Sequence, residues 1–170
     1  MDGLQIARRL IAEEREKKTG FLDLGNLQLT EVPVELFELT HLRGLNLGTW
    51  YVDEHGRDQK SRNSNENGIN ELRTLPSAFS TLGNLTTLSL HGNPIGDLSP
   101  LAPLTALQQL NCSDTQVSDL SPLHTLTALQ HLDCLGTPIS DLSPLSPLTA
   151  LQQLHCWNTQ VSDLSPLHSL

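Results

Sequence analysis

The chain is poor in aromatic residues, poor in charge and, after Arg73, empty of cations. Only 4 % of its 170 residues are aromatic and 17 % are charged. With so few rings the core must be aliphatic, and leucine is the residue that fills it. A charge content below the usual quarter excludes a charge-rich disordered tail. All ten Lys and Arg lie at or before Arg73, whereas residues 74–170 hold Asp97, Asp114, Asp119, Asp133, Asp141 and Asp163. At a formal charge of −9, the chain lacks the basic footprint that nucleic acid or an anionic membrane surface requires. No apolar run approaches the roughly 18 residues of a membrane span. The opening MDGLQIARRLIAEEREKK carries acids and no unbroken apolar stretch, so it does not read as a signal peptide, which points to a cytoplasmic protein. No C-x-x-C pair is present, and three unpaired thiols favour a reducing compartment. Patterns of the form G-x-x-x-x-G-K-[ST], H-E-x-x-H and G-x-S-x-G are missing. The expectation is a non-enzyme with no catalytic residues, no metal and no cofactor.

What is present is a period. SPLAPLTALQQLNCSDTQVSDL from Ser99, SPLHTLTALQHLDCLGTPISDL from Ser121 and SPLSPLTALQQLHCWNTQVSDL from Ser143 align without a gap, and a fourth unit starts at Ser165 and stops at Leu170. The period is 22 residues. Apolar residues at alternate positions, such as Leu110 and Cys112, mark one short strand per unit. One unit cannot bury its leucines, but stacked neighbours bury them as a continuous column.

From Leu107 the unit reads L-x-x-L-x-C-x-x-T-x-V, which resembles the leucine-rich repeat signature L-x-x-L-x-L-x-x-N-x-L. The same frame runs back through Leu85, Leu88, Leu90, Asn93 and Ile95, through Leu42, Leu45 and Leu47, and in degenerate form through Leu22, Leu24 and Leu29. The resemblance implies an α/β solenoid with a concave parallel β-sheet and short 3-10 or irregular convex segments. Asn93 is followed by Thr115, Thr137 and Thr159; a hydroxyl without an amide completes only part of an Asn ladder. The segments LTEVPVELFELTHL and LRTLPSAFSTLGNL resemble the convex half of intracellular leucine-rich repeats, and S-D-L-S-P-L resembles the internalin type. Ser99, Ser121, Ser143 and Ser165 are expected to N-cap short turns with Pro at N1.

Residues 1–18 read as an N-terminal capping helix, and residues 19–170 as six to seven repeats, the last incomplete. Asp2 and Gln5 have capping-box spacing. Glu13 with Lys17 and Glu14 with Lys18 form i,i+4 pairs, and Gly20 suits the stop. The far end has no such cover, so either the chain continues beyond Leu170 or a dimer forms there. An insertion near residues 49–69 separates Leu42 from Leu85 by 43 residues where about 23 are expected. It reads as a long irregular loop, with Trp50 and Tyr51 either anchoring its base or contacting a partner.

Cys112, Cys134 and Cys156 fall at one inward strand position and read as core filler. Asp97, Asp119, Asp141 and Asp163 read as turn residues bonding local amides rather than as ligands for calcium. Thr87, Ser89, His91 and Ser113 should face outward with the candidate partner-binding residues of the concave face: Gln109, Asn111, His131, Asp133, Leu135, Gln153, His155 and Trp157. Asp133 should lie beside His155, a pairing that suits recognition better than acid–base work on an open sheet. A protein or peptide ligand is the partner such a rigid, polar face fits. The helix, the polar insertion and the S-D-L-S-P-L units together resemble the N-terminal region of bacterial multidomain proteins, including Roco-type proteins whose repeats precede a GTPase. That resemblance implies a sensor or regulatory role. The alternative is a secreted internalin-like adhesin that binds a host surface protein.

Overall fold

The computed structural model describes residues 2–53, 57–63 and 68–168. Leu170 and parts of the insertion lie outside these residues. Helix α1 (Gly3–Lys17) comes first, with Asp2 and Gln5 closing the capping box and Lys18 ending the helix in the left-handed conformation. Among the described residues eight strands follow: β1 (Phe21–Asp23), β2 (Gly44–Asn46), β3 (Trp50–Val52), β4 (Asp58–Lys60), β5 (Thr87–Ser89), β6 (Gln109–Asn111), β7 (His131–Asp133) and β8 (Gln153–His155). Six of them form one parallel sheet in the order β1-β2-β5-β6-β7-β8. From β5 onward the register advances by one 22-residue unit per strand, pairing Leu88 with Leu110, Leu132 and Leu154 in turn. The leucine-rich solenoid expected from the sequence is therefore the observed fold.

Opposite each strand a short 3-10 turn closes the unit, and its length follows local proline chemistry. Ser99–Leu101 and Ser143–Leu145 stop after three residues, whereas Ser121–Thr125 runs to five. Pro103 and Pro147 stand where Thr125 stands in the longer turn, and proline has no amide to extend it. The serines do not cap these turns. Each turn follows a Leu with no side-chain capping bond; instead Asp97, Asp119, Asp141 and Asp163 accept the amides of Ser99, Ser121, Ser143 and Ser165 at 2.8 Å. An aspartate two residues upstream offers a better-placed acceptor than a hydroxyl inside the turn. Hydrogen bonding to the hydroxyl and the amide of the following serine holds all four carboxyls below their ordinary range.

The core is a wall of leucine, with Cys112 and Cys134 fully buried in it and Cys156 partly so. Burial pushes the Cys112 thiol well up and the Cys134 thiol to about 12, as expected of an ionisable group placed in apolar surroundings. Ala7 and Ile11 of α1 join this core, and Arg8 and Arg15 pair outward with Glu35 and Glu38 of the first turn. Glu14 does not reach Lys18. It is 4 % exposed and accepts from Thr19 Oγ1, from the Gly20 amide at 2.8 Å and from His41 at 2.9 Å. Lys18 caps the helix with its backbone while Glu14 faces inward, so the pair cannot form.

Candidate functional site

The sheet presents two outward rows, set by register: Phe21, Gly44, Thr87, Gln109, His131 and Gln153 in one, and Asp23, Asn46, Ser89, Asn111, Asp133 and His155 in the other. The insertion divides these rows in half. It is a hairpin rather than an irregular loop, β3 pairing antiparallel with β4 through Trp50–Lys60, Tyr51–Gln59 and Val52–Asp58. It leaves the solenoid at Gly48, where a Cβ would sit 2.6 Å from the His91 amide nitrogen, so only glycine fits that close approach.

The hairpin folds back over β1, β2 and β5. Tyr51 is buried and stacks on Phe21 with ring centroids 5.0 Å apart. Asp23 clamps the returning strand, accepting from Ser61 Oγ at 2.9 Å and the Arg62 amide at 2.9 Å, while also taking Asn46 Nδ2 at 2.8 Å. The Ser89 hydroxyl donates to the Trp50 carbonyl. Ser89, outward by register, is therefore buried beneath the hairpin rather than exposed. Trp50 stays 43 % exposed, so the two neighbouring aromatics have separate places: Tyr51 anchors, and Trp50 faces away.

Over β6, β7 and β8 nothing covers the sheet among the described residues. Gln109, Asn111, His131, Asp133 and Leu135 are half-buried, Gln153 and His155 are exposed, and Trp157 is 72 % exposed. Asp133 Oδ2 lies 3.6 Å from His155 Nδ1, the neighbour that the 22-residue register gives it. Ser113 departs from the expected surface: its amide donates to Asn111 Oδ1 at 3.0 Å and the residue is buried. His91 is half-buried, its Nε2 3.4 Å from Asp114 Oδ2.

Between the hairpin and the open strands runs a groove of about 260 Å³. Val52 and Asp58 of the hairpin line it together with Gln109, His131, Asp133 and His155. Asp58 and Val52 carry no signal in the sequence, since only the hairpin's fold brings them to the concave face. Among the described residues no three His, Cys, Asp or Glu gather closely enough to hold a metal ion, and no helix is long and apolar enough to cross a membrane.

Comparison with known proteins gives the fold its context. The pattern described as leucine rich repeats (2 copies) matches residues 105–147. An internalin C2 structure from Listeria monocytogenes is 32 % identical, with a TM-score of 0.61, and the alignment covers 89 % of this chain and 67 % of that one. The chain belongs to the leucine-rich repeat family. An internalin (inlF) from the same organism is 26 % identical over 99 % of this chain, with a TM-score of 0.68; the present chain spans 53 % of that protein's length. At 22 % identity and a TM-score of 0.60, the ectodomain of a plant receptor kinase from Arabidopsis thaliana, solved in complex with Casparian strip integrity factor 2, shares the fold over 82 % of this chain and 15 % of its own. No curated protein sequence matches. Leucine-rich repeats are a protein-interaction scaffold, typically without catalysis.

Proposed function

We propose that this leucine-rich repeat module binds a protein or peptide, without catalysis, on the open half of its concave sheet: Gln109, Asn111, His131, Asp133, Leu135, Gln153, His155 and Trp157. One observation carries the reading. The sheet's outward rows are covered by the chain's own hairpin over three strands and left open over the next three, with a large indole 72 % exposed at the far margin. Exposed tryptophan beside half-buried polar groups is the composition of an interface hot spot. Trp50, exposed on the hairpin's outer side, is a secondary contact. Capture of partners from a lysate by wild type, Trp157→Ala and Asp133→Ala tests this. Loss of the same partner in both variants supports the face, and equal recovery from all three sinks it.

The setting we favour is the cytoplasmic sensor or regulatory region of a larger bacterial protein of the Roco type. Its support is three unpaired thiols, two of them buried, together with the mixed repeat types. The 32 % identity to internalin C2 favours a second setting, a secreted adhesin. The gene on both sides of this segment separates them: a nucleotide-binding domain downstream supports the first, an export signal with a wall anchor the second.

A further inference from the structure

We infer that the groove between the hairpin and β6–β8 takes a lysine- or arginine-bearing extended segment of the partner protein. This rests on the concave-face reading above and adds the chemistry of what binds there.

The charge around the groove is of one sign. Asp58 enters from the hairpin and Asp133 from β7, two elements 75 residues apart in sequence. No hydrogen bond or ion pair reaches the Asp58 carboxylate among the described residues. Asp133 accepts the Leu135 amide at 3.1 Å on Oδ1, and on Oδ2 has only His155 at 3.6 Å. No lysine or arginine of the units from β5 onward neutralises them, because residues 74–170 contain none. The hairpin's Arg57 is engaged with Asp53 at 2.9 Å, and its Lys60, two residues from Asp58 on β4, does not line the groove. The cleft on the hairpin's other side differs. It measures about 740 Å³ and its wall carries the cations Lys17, Arg43, Arg57 and Arg62, of which Lys17 and Arg57 pair with Glu13 and Asp53. Carboxylates without cations are thus a property of this groove and not of the hairpin's surroundings.

Geometry and hydrogen bonding agree with the charge. Crossing β5 to β8 is about 14 Å, or roughly four extended residues. On the floor, Gln109 Oε1 and His131 Nδ1, on directly paired strands, find no hydrogen-bond partner among the described residues. Such groups can turn to a peptide main chain without giving up an internal bond. A side chain at one end then meets Asp58 or Asp133, and the other end reaches Trp157, whose ring also attracts a cation.

Fluorescence anisotropy of the whole chain tests this with a labelled nine-residue peptide alternating Lys and Ser and with a twin carrying Glu for Lys. The Lys peptide should bind and the twin should not. Asp58→Asn and Asp133→Asn should each weaken binding about fivefold, as expected of partly exposed ion pairs, and added salt should shrink the difference. Asp119→Asn removes a carboxylate that serves the Ser121 amide and does not line the groove, and it should change nothing. Equal binding of the twins overturns the inference, as does a loss in Asp119→Asn equal to those in the groove variants, which would mean attraction to net charge alone. A partner whose capture fails with Trp157→Ala but is untouched by both Asn variants in the groove refutes the cationic segment and leaves the recognition face standing.

Discussion

The two halves of the solenoid put their polar groups to opposite uses. In the N-terminal half they lace neighbouring units together. Asn70 accepts from the Leu27 and Leu29 amides at 2.9 and 3.0 Å, and donates to the Leu24 and Leu47 carbonyls at 2.8 Å each. Asn93 likewise accepts from Leu72 and donates to Leu47 and Leu90, each at 3.0 Å. In the C-terminal half Thr115, Thr137 and Thr159 each make one short bond of 2.6 Å, to the Cys carbonyl of their own unit. The outward face repeats the contrast: Asp23, Asn46 and Ser89 are consumed beneath the hairpin, whereas Gln109, His131 and Asp133 keep capacity to spare. What is cross-linked is closed, and what is left open is available. Asn70→Ala attacks the contrast most directly. It strands two buried amides and the Leu24 carbonyl, while Asn93 still serves the Leu47 carbonyl, and it should lower stability by about 4 kcal/mol, read from urea unfolding. A loss no larger than that of a threonine rung would break the comparison.

The second test removes the cover. Tyr51→Ala deletes the buried ring stacked on Phe21, at a cost of about 3 kcal/mol. Hydrogen exchange should then show protection lost across Trp50–Val52 and Asp58–Lys60 while β6, β7 and β8 stay protected. If the open half also loosens, the halves are not independent.

Much of this was legible in the sequence, because a 22-residue period fixes which side chains stack. The six-stranded sheet, the inward thiols, the Asp133–His155 neighbours and the helix with its capping box all follow from spacing alone. The hairpin was not legible: Asp58–Lys60 has no apolar alternation, and its pairing depends on Asp23 and Ser89, distant in sequence. Asn70 was hidden for the same reason. It occupies the ladder position of the unit whose strand ends at Asn46, but the insertion carries it far from the frame that Leu42, Leu45 and Leu47 set. The N-x-L of Asn70 and Leu72 was the available signal. Glu14 and Ser113 were misplaced by rules of local spacing that burial overrides.

Glu14 marks the closed half's outer boundary, and acid should open it there first. Burial raises its pKa, but the Thr19 hydroxyl, the Gly20 amide and His41 lower it more, so it ends below its ordinary 4.5. A carboxyl depressed by folding contributes stability above its unfolded value and loses it as pH falls through the folded one. Stability of the N-terminal helix should therefore decline below about pH 4.5. Glu14→Gln should cost about 2 kcal/mol at neutral pH and flatten that decline, measured by helix circular dichroism across pH 3–7. An unchanged acid profile would remove Glu14 from this role.

The smallest effects come from the threonine rungs, and their signs are the sharpest check. Thr137→Ala removes one hydroxyl bond and should cost about 1 kcal/mol, a quarter of the asparagine effect. Thr137→Asn should act in the other direction. Placed as Asn93 is, an asparagine there has the Cys112 and Cys134 carbonyls for its amide. For its oxygen it has the Val117 amide, which stands where Leu72 stands and donates no hydrogen bond among the described residues. Satisfying that buried donor should raise stability by about 1 kcal/mol. A gain of this size would show that the open half lacks only the rung chemistry of the closed half. A loss would show that its units stack too closely around threonine for an amide to cross between them.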